Sequence, residues 1–144
     1  MVALNQALLE TGLAFLANLD GLVNGTESFL NGRTPDAIHY HLPASLQVPP
    51  KNNTEMVSLM QGTFPGGLSS FKAEPVGGVE DGIVIDEQKR KIVIHATGNG
   101  VTSFGNYFQE YIFTLLTTED GRQVKESWEF LDSDLAWKWQ DIIS

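Results

Sequence analysis

The sequence predicts an α+β domain in which N-terminal helices pack on a curved antiparallel β-sheet. Three observations point there. The opening stretch repeats leucines near helical spacing, the second half is a run of strand-length segments separated by turn signals, and nowhere do the two kinds of segment alternate as βαβ units would.

Leu4, Leu8, Leu9, Leu13, Phe15, Leu16 and Leu19 predict a long first helix that breaks at Asp20-Gly21, with a short second helix over about 22–31. Gly32 supplies a stop, and Pro35 in "RTPD" lacks the N–H a helix needs, so the chain turns there. "AIHYHLP" then alternates Ile38, Tyr40 and Leu42 against His39 and His41, which on a strand places both imidazoles on one face. In "KNNTEMVSLMQGTF", Asn52 with Glu55 three residues later makes a capping box for a third helix, ended by Pro65-Gly66-Gly67. Strands follow over about 69–76, 82–86, 90–100, 106–117 and 122–131, joined by turns such as "DEQKR" and "TEDGR". A last helix fits 133–142, where Leu135, Trp139 and Ile142 share a face.

The chain has 144 residues, enough for one domain with a core and a pocket. Its net charge of -9 would repel phosphate backbones and anionic membrane surfaces, so nucleic acid is a poor partner. The absence of cysteine removes disulfides, thiolate nucleophiles and Cys-ligated metals. No stretch approaches the ~20 apolar residues of a membrane span, and the start lacks the basic region of a secretory signal. A soluble cytoplasmic protein is the expectation, and the sequons at Asn24 and Asn52 read as turn and cap chemistry.

The segments "RTPDAIHYHLPASL…PPKNN", "GNYFQEYIF" and "TEDGRQVKESWEFLDS" resemble the small SnoaL-like proteins of fungal secondary metabolism, and the order of elements resembles the NTF2-like (cystatin-like) fold over nearly the whole chain. That subgroup includes isomerases and cyclases of meroterpenoid intermediates. The resemblance implies a cone-shaped pocket between helices and sheet, acid/base chemistry without a cofactor, and a homodimer through the exposed sheet face. The same fold hosts non-catalytic binding and assembly modules, so fold alone does not assign an activity.

Individual residues sharpen the expectation. His39-x-His41 could ligate a metal, but the Glu that a cupin places four or five residues later is absent, since Ser45 and Leu46 stand there. No metal is expected; a third nitrogen could come only from distant His95. Proton transfer fits better, because imidazole titrates near ~6.5 and needs little tuning. Candidate acid/base groups are Arg33, His39, His41, Glu55, His95 and Glu110, with one of Glu55, His95 or Glu110 as the base and Arg33, His39 or His41 as the donor to an oxyanion. Glu55 has a competing role in the capping box.

On 106–116, Tyr107, Gln109, Tyr111 and Phe113 share one face and Phe108, Glu110, Ile112 and Thr114 the other; either could line the pocket. On 122–131, Val124, Glu126, Trp128 and Phe130 form the more apolar face, which makes Glu126 a pocket carboxylate and leaves Lys125 and Glu129 outside. Tyr107, Phe113, Glu126 and Trp128 are accordingly the expected substrate contacts, or else the aromatics are ordinary core. The function expected is a cofactor-independent isomerase or cyclase for a bulky terpenoid or polyketide-derived small molecule. The alternatives are a dehydratase or hydrolase in the same pocket, or a non-catalytic ligand-binding module.

Overall fold

A computed structural model describes residues 3–144. Helix α1 (Leu4–Asp20) turns its buried side chains Leu8, Phe15, Leu16 and Leu19 toward the concave face of a seven-stranded sheet. Contact is close at Gly12, where a Cβ would lie 3.1 Å from Ile92. The strands are β1 (Arg33–Leu42), β2 (Lys51–Asn52), β3 (Leu68–Pro75), β4 (Ile83–Asp86), β5 (Lys91–Thr102), β6 (Gly105–Thr117) and β7 (Val124–Leu131). They lie in the order β2-β1-β7-β6-β5-β3, with β4 also paired to β5.

The sheet is antiparallel except where β1 runs parallel to β7. The long route between these two strands takes in the whole meander, so no hairpin forces them antiparallel. This pairing sets the chain's histidine strand directly against its last strand.

Several local expectations are modified by tertiary packing. The second helix is two short 3-10 turns, Gly21–Asn24 and Thr26–Leu30, separated by Gly25 at φ 125°, which a helix cannot contain. "RTPD" belongs to β1, entered from Gly32 at φ 73°; the pairing with β7 slips between Arg33 and Ile38, and Pro35 falls in that slip. A short helix α3 (Gly78–Gly82) precedes β4.

Helix α2 (Asn53–Thr63) begins with both halves of the capping box: Glu55 N–H donates to Asn52 Oδ1 at 2.9 Å and Asn52 N–H to Glu55 Oε1 at 3.0 Å. At the edge of the sheet, Asp20 accepts from Ala73 N–H at 2.6 Å and pairs with Lys72, tying the end of α1 to β3.

The final helix α4 (Ser133–Ile143) is capped by Asp132 and carries buried Trp139 across the open end of the cone. Its indole N–H donates to the Thr63 carbonyl at the end of α2 at 2.7 Å, and its ring meets Tyr107 edge-on at 5.2 Å. Among the described residues no helix is long and apolar enough to cross a membrane. Replacing Trp139 by Phe leaves that carbonyl without its buried donor; urea unfolding should show a loss of about 1–3 kcal/mol.

Candidate active site

Strand β7 builds the site through an irregularity. Val124 pairs with Thr117 and Glu126 with Leu116, so Lys125 is an extra residue on β7, a β-bulge. The bulge reverses the strand's parity: Val124 points inward, and beyond it Ser127, Glu129 and Leu131 do so. Across the parallel pairing, His39 lies beside Ser127 and His41 beside Glu129. On the other side Glu129 neighbours Phe113 of β6, whose inward face is Tyr107, Gln109, Tyr111, Phe113 and Leu115.

These residues form a connected polar line in an apolar wall. Arg33 Nη1 donates to Ser127 Oγ at 2.9 Å, Ser127 Oγ lies 2.5 Å from His39 Nδ1, and His39 Nε2 lies 2.9 Å from Glu129 Oε1. His41 Nε2 stands 3.9 Å from the same carboxylate oxygen. Arg33 is further held by Asn53, whose Oδ1 accepts from Nε at 2.9 Å, and by the Phe29 ring 4.6 Å away. Ser127 and His39 are fully buried, whereas Glu129 keeps 15% of its side chain exposed, and that part opens into the pocket.

The charge states follow from burial and neighbours. Burial pushes the Arg33 guanidinium down to about 10, still charged at neutral pH. Burial also lowers His39, helped by the positive charges of His41 and Arg33 and opposed by Glu129, so its imidazole is neutral. For Glu129 burial pulls upward, but the hydrogen bond from His39 and the neighbouring His41 outweigh it and the carboxyl ends below its ordinary value. Tyr107 and Tyr111, whose hydroxyls lie 3.2 Å apart, are pushed well up by burial and stay protonated.

Two cavities meet at this carboxylate. An outer vestibule of about 300 Å³ lies between β6, β7 and α4, lined by His41, Tyr107, Gln109, Glu129, Trp137 and Trp139 among others. An inner chamber of about 70 Å³ continues toward Phe71 and Phe113. His41, Leu59, Thr63, Tyr107 and Glu129 line both. A molecule in the vestibule therefore meets an ionised carboxylate, an imidazole and a phenol on a mostly apolar surface, which is the arrangement acid/base chemistry on an apolar substrate requires.

Of the residues singled out in the sequence, Arg33, His39, His41, Tyr107 and Phe113 come together here, Phe113 as chamber wall. Others do not. His95 and Glu110 face the convex side and pair with each other at 2.6 Å, because β5 and β6 turn their opposite residues inward. Glu55 is exposed and occupied as the helix cap. Glu126 and Trp128 lie on the convex face, Trp128 stacked on Tyr40 at 5.3 Å, because the bulge at Lys125 places them out of phase with Val124.

The same slip explains why Glu129, assigned by alternation to the outside, is the pocket carboxylate. A signal was present: Val124 and Leu131 are both apolar at an odd separation, which regular alternation cannot bury together.

His39, His41 and Glu129 offer three ligand atoms within 4.8 Å of one another, a set that in number and type suits a divalent metal. An ion there would have to take His39 Nε2 from Glu129 and would add a second positive charge to a wall already holding buried Arg33. The hydrogen-bonded line fits these residues better.

Comparison with known proteins identifies the family. The chain is 31% identical over 134 residues to the austinoid biosynthesis cluster protein J of Aspergillus calidoustus, spanning 92% of this chain and 78% of that protein. The solved structure of AusH from Aspergillus nidulans matches 88% of this chain and 84% of its own at 32% identity and a TM-score of 0.75. The chain belongs to the family of the austinoid-cluster proteins.

The fold of this austinoid-cluster family member is SnoaL-like, a curved mixed sheet behind an N-terminal helix. BvnE pinacolase from Penicillium brevicompactum shares it at a TM-score of 0.87 over 99% of this chain and 95% of that one, with 23% identity. No family model matches the chain.

The buried line makes stability depend on pH with a definite sign. Folded His39 binds a proton less readily than an unfolded imidazole, whose ordinary value is 6.5, so on acidification the unfolded chain takes up the proton first. Glu129, lowered from 4.5, adds a second loss at more acid pH. Urea midpoints should be level above about pH 7, decline below about pH 6.5 and fall again below about pH 4.5. His39→Gln should abolish the first decline and weaken the second, because the hydrogen bond from His39 is the main cause that holds the Glu129 carboxyl low.

Proposed function

We propose that the protein is a cofactor-free isomerase or cyclase that moves a proton within a bulky terpenoid-derived carbonyl compound of fungal meroterpenoid biosynthesis, acting in the cytoplasm. The observation that carries the reading is the ionised Glu129 carboxylate at the junction of the two cavities. Membership of the austinoid-cluster family supplies the substrate class, and the shared fold with a pinacolase is in keeping with skeletal rearrangement in such a cone.

In this scheme the apolar body of the substrate lies in the vestibule against Leu46, Val48, Leu131 and the two tryptophans of α4. Its carbonyl reaches the polar end. Glu129 removes a proton beside the carbonyl, and the protonated Tyr107 hydroxyl donates to the developing oxyanion; Tyr111 can donate to Tyr107 in turn, which leaves Tyr107's own proton for the substrate. His41, beside the carboxylate, gives a proton at the new position, and the proton taken up by Glu129 passes back to His41 Nε2, 3.9 Å away, so both groups return to their starting states. The apolar lining excludes water, which favours rearrangement over hydrolysis.

The reading includes a homodimer through the convex face of the sheet, where Phe108, Ile112 and Phe130 lie exposed. Sedimentation velocity of the purified protein measures this directly.

Incubation with carbonyl-bearing meroterpenoid intermediates should yield a product of unchanged mass. Glu129→Gln should lower kcat by roughly 10²–10⁴-fold while binding persists. A product lighter by one water would identify a dehydratase instead, and tight binding of an unaltered ligand a carrier.

A further inference from the structure

We propose that Ser127, oriented by Arg33, is a positioning residue that locks His39 in its Nε2–H tautomer and so presents Glu129 to the substrate as an unprotonated base. The inference rests on the reading of Glu129 as the base.

The argument begins with what arginine cannot do. A guanidinium carries five N–H donors and no acceptor. Arg33 therefore donates at both of its recorded contacts, through Nη1 to Ser127 Oγ at 2.9 Å and through Nε to Asn53 Oδ1 at 2.9 Å. The amide of Asn53 has its own orientation settled, because its Nδ2 donates to the Thr34 carbonyl at 3.0 Å, which leaves its oxygen for Arg33. Asn53 is the first residue of α2, fixed by the capping box beside it. The guanidinium is thus held from the helix on one side and from β7 on the other, with the Phe29 ring across its plane.

Ser127 is fully buried, and its hydroxyl has one proton. With Arg33 donating into the oxygen, the remaining neighbour for that proton is His39 Nδ1, 2.5 Å away. Nδ1 is then an acceptor, and the single proton of the neutral ring sits on Nε2, from which it is donated to Glu129 Oε1 at 2.9 Å. Each link runs the same way, from Arg33 through Ser127 and His39 to Glu129. The opposite tautomer would set two donors against one serine oxygen and strand the hydroxyl proton in a buried site. It would also turn the His39 lone pair toward Glu129, an arrangement that is favourable only if the carboxyl is protonated and no longer a base.

The charged and titratable groups around His39 are Arg33 and His41 on its own strand and Glu129 on β7, with the edge-on Phe29 ring 5.4 Å away on the remaining side. Ser127 lines neither the vestibule nor the inner chamber, so its effect on catalysis passes through His39.

Nitrogen-15 NMR of the imidazoles tests this without any substrate. In the native protein at about pH 8, His39 should show a protonated Nε2 and an unprotonated, hydrogen-bonded Nδ1. A protonated Nδ1 there would overturn the proposal. Ser127→Ala should release the lock, giving mixed tautomers. The same variant should lower kcat by about tenfold or more, less than the ~10²–10⁴-fold of removing the base, with KM little changed. Ser127→Thr, which keeps the hydroxyl, should restore both signals. If Ser127→Ala leaves the His39 tautomer as in the native protein, the positioning role is wrong whatever the turnover shows. If the tautomer behaves as stated but Glu129→Gln is fully active, the lock stands and the assignment of the base fails.

Discussion

The site depends on one extra residue in one strand. Without the bulge at Lys125, β7 would carry Val124, Glu126 and Trp128 into the cone and turn Ser127 and Glu129 to the convex face. With it, Val124 still packs under α1, and from Ser127 onward the inward face is polar at two positions beside the two histidines. A slip of one residue moves every following side chain across the sheet, so a single irregularity exchanges a tryptophan and a glutamate on one face for a serine and a glutamate on the other.

The polar line then meets the general difficulty of buried charge. A guanidinium and a carboxylate enclosed in apolar surroundings each carry a desolvation penalty that unpaired groups cannot sustain. Here they are joined through a serine and an imidazole that remain neutral, and every link is a hydrogen bond of 2.9 Å or shorter. Because the positive end lies deep and the negative end opens into the cavity, the charge that reaches a ligand is the carboxylate's. Three elements of the fold converge on this: β1 brings Arg33, His39 and His41, β7 brings Ser127 and Glu129, and the start of α2 brings Asn53 to hold the arginine.

The convex face shows how similar residue types lead to a different outcome. His95 and Glu110 are closer to each other than His39 and Glu129, yet both are substantially exposed on the convex face, where such a pair contributes little. Their strands are regular and their residues alternate without interruption, so the inward set from Tyr107 to Leu115 is aromatic and aliphatic apart from Gln109, which is spent on the backbone at Asp132 and Glu110. The connected polar line lies on β1 and β7, both of which carry breaks in register; a further break, at Leu68 and Ser70 of β3, has no such line beside it.

The amino-acid sequence by itself determined helices α1, α2 and α4, the strands of the meander, the capping box at Asn52 and Glu55, and the shared face of His39 and His41, because each is set by spacing along a few neighbouring residues. It also carried the family resemblance, and with it the cone. What it left open, such as which face of β6 is inward, and what simple alternation assigned wrongly, such as Glu126 over Glu129, were decided only when strands met. A bulge exists relative to a partner strand, and β1 and its parallel partner β7 are far apart along the chain: the pairing of Arg33 with Val124 joins distant parts of it. Inward and outward acquire meaning only through such long-range pairing against α1, and it is there that a buried arginine, a serine, a histidine and a glutamate become one hydrogen-bonded line.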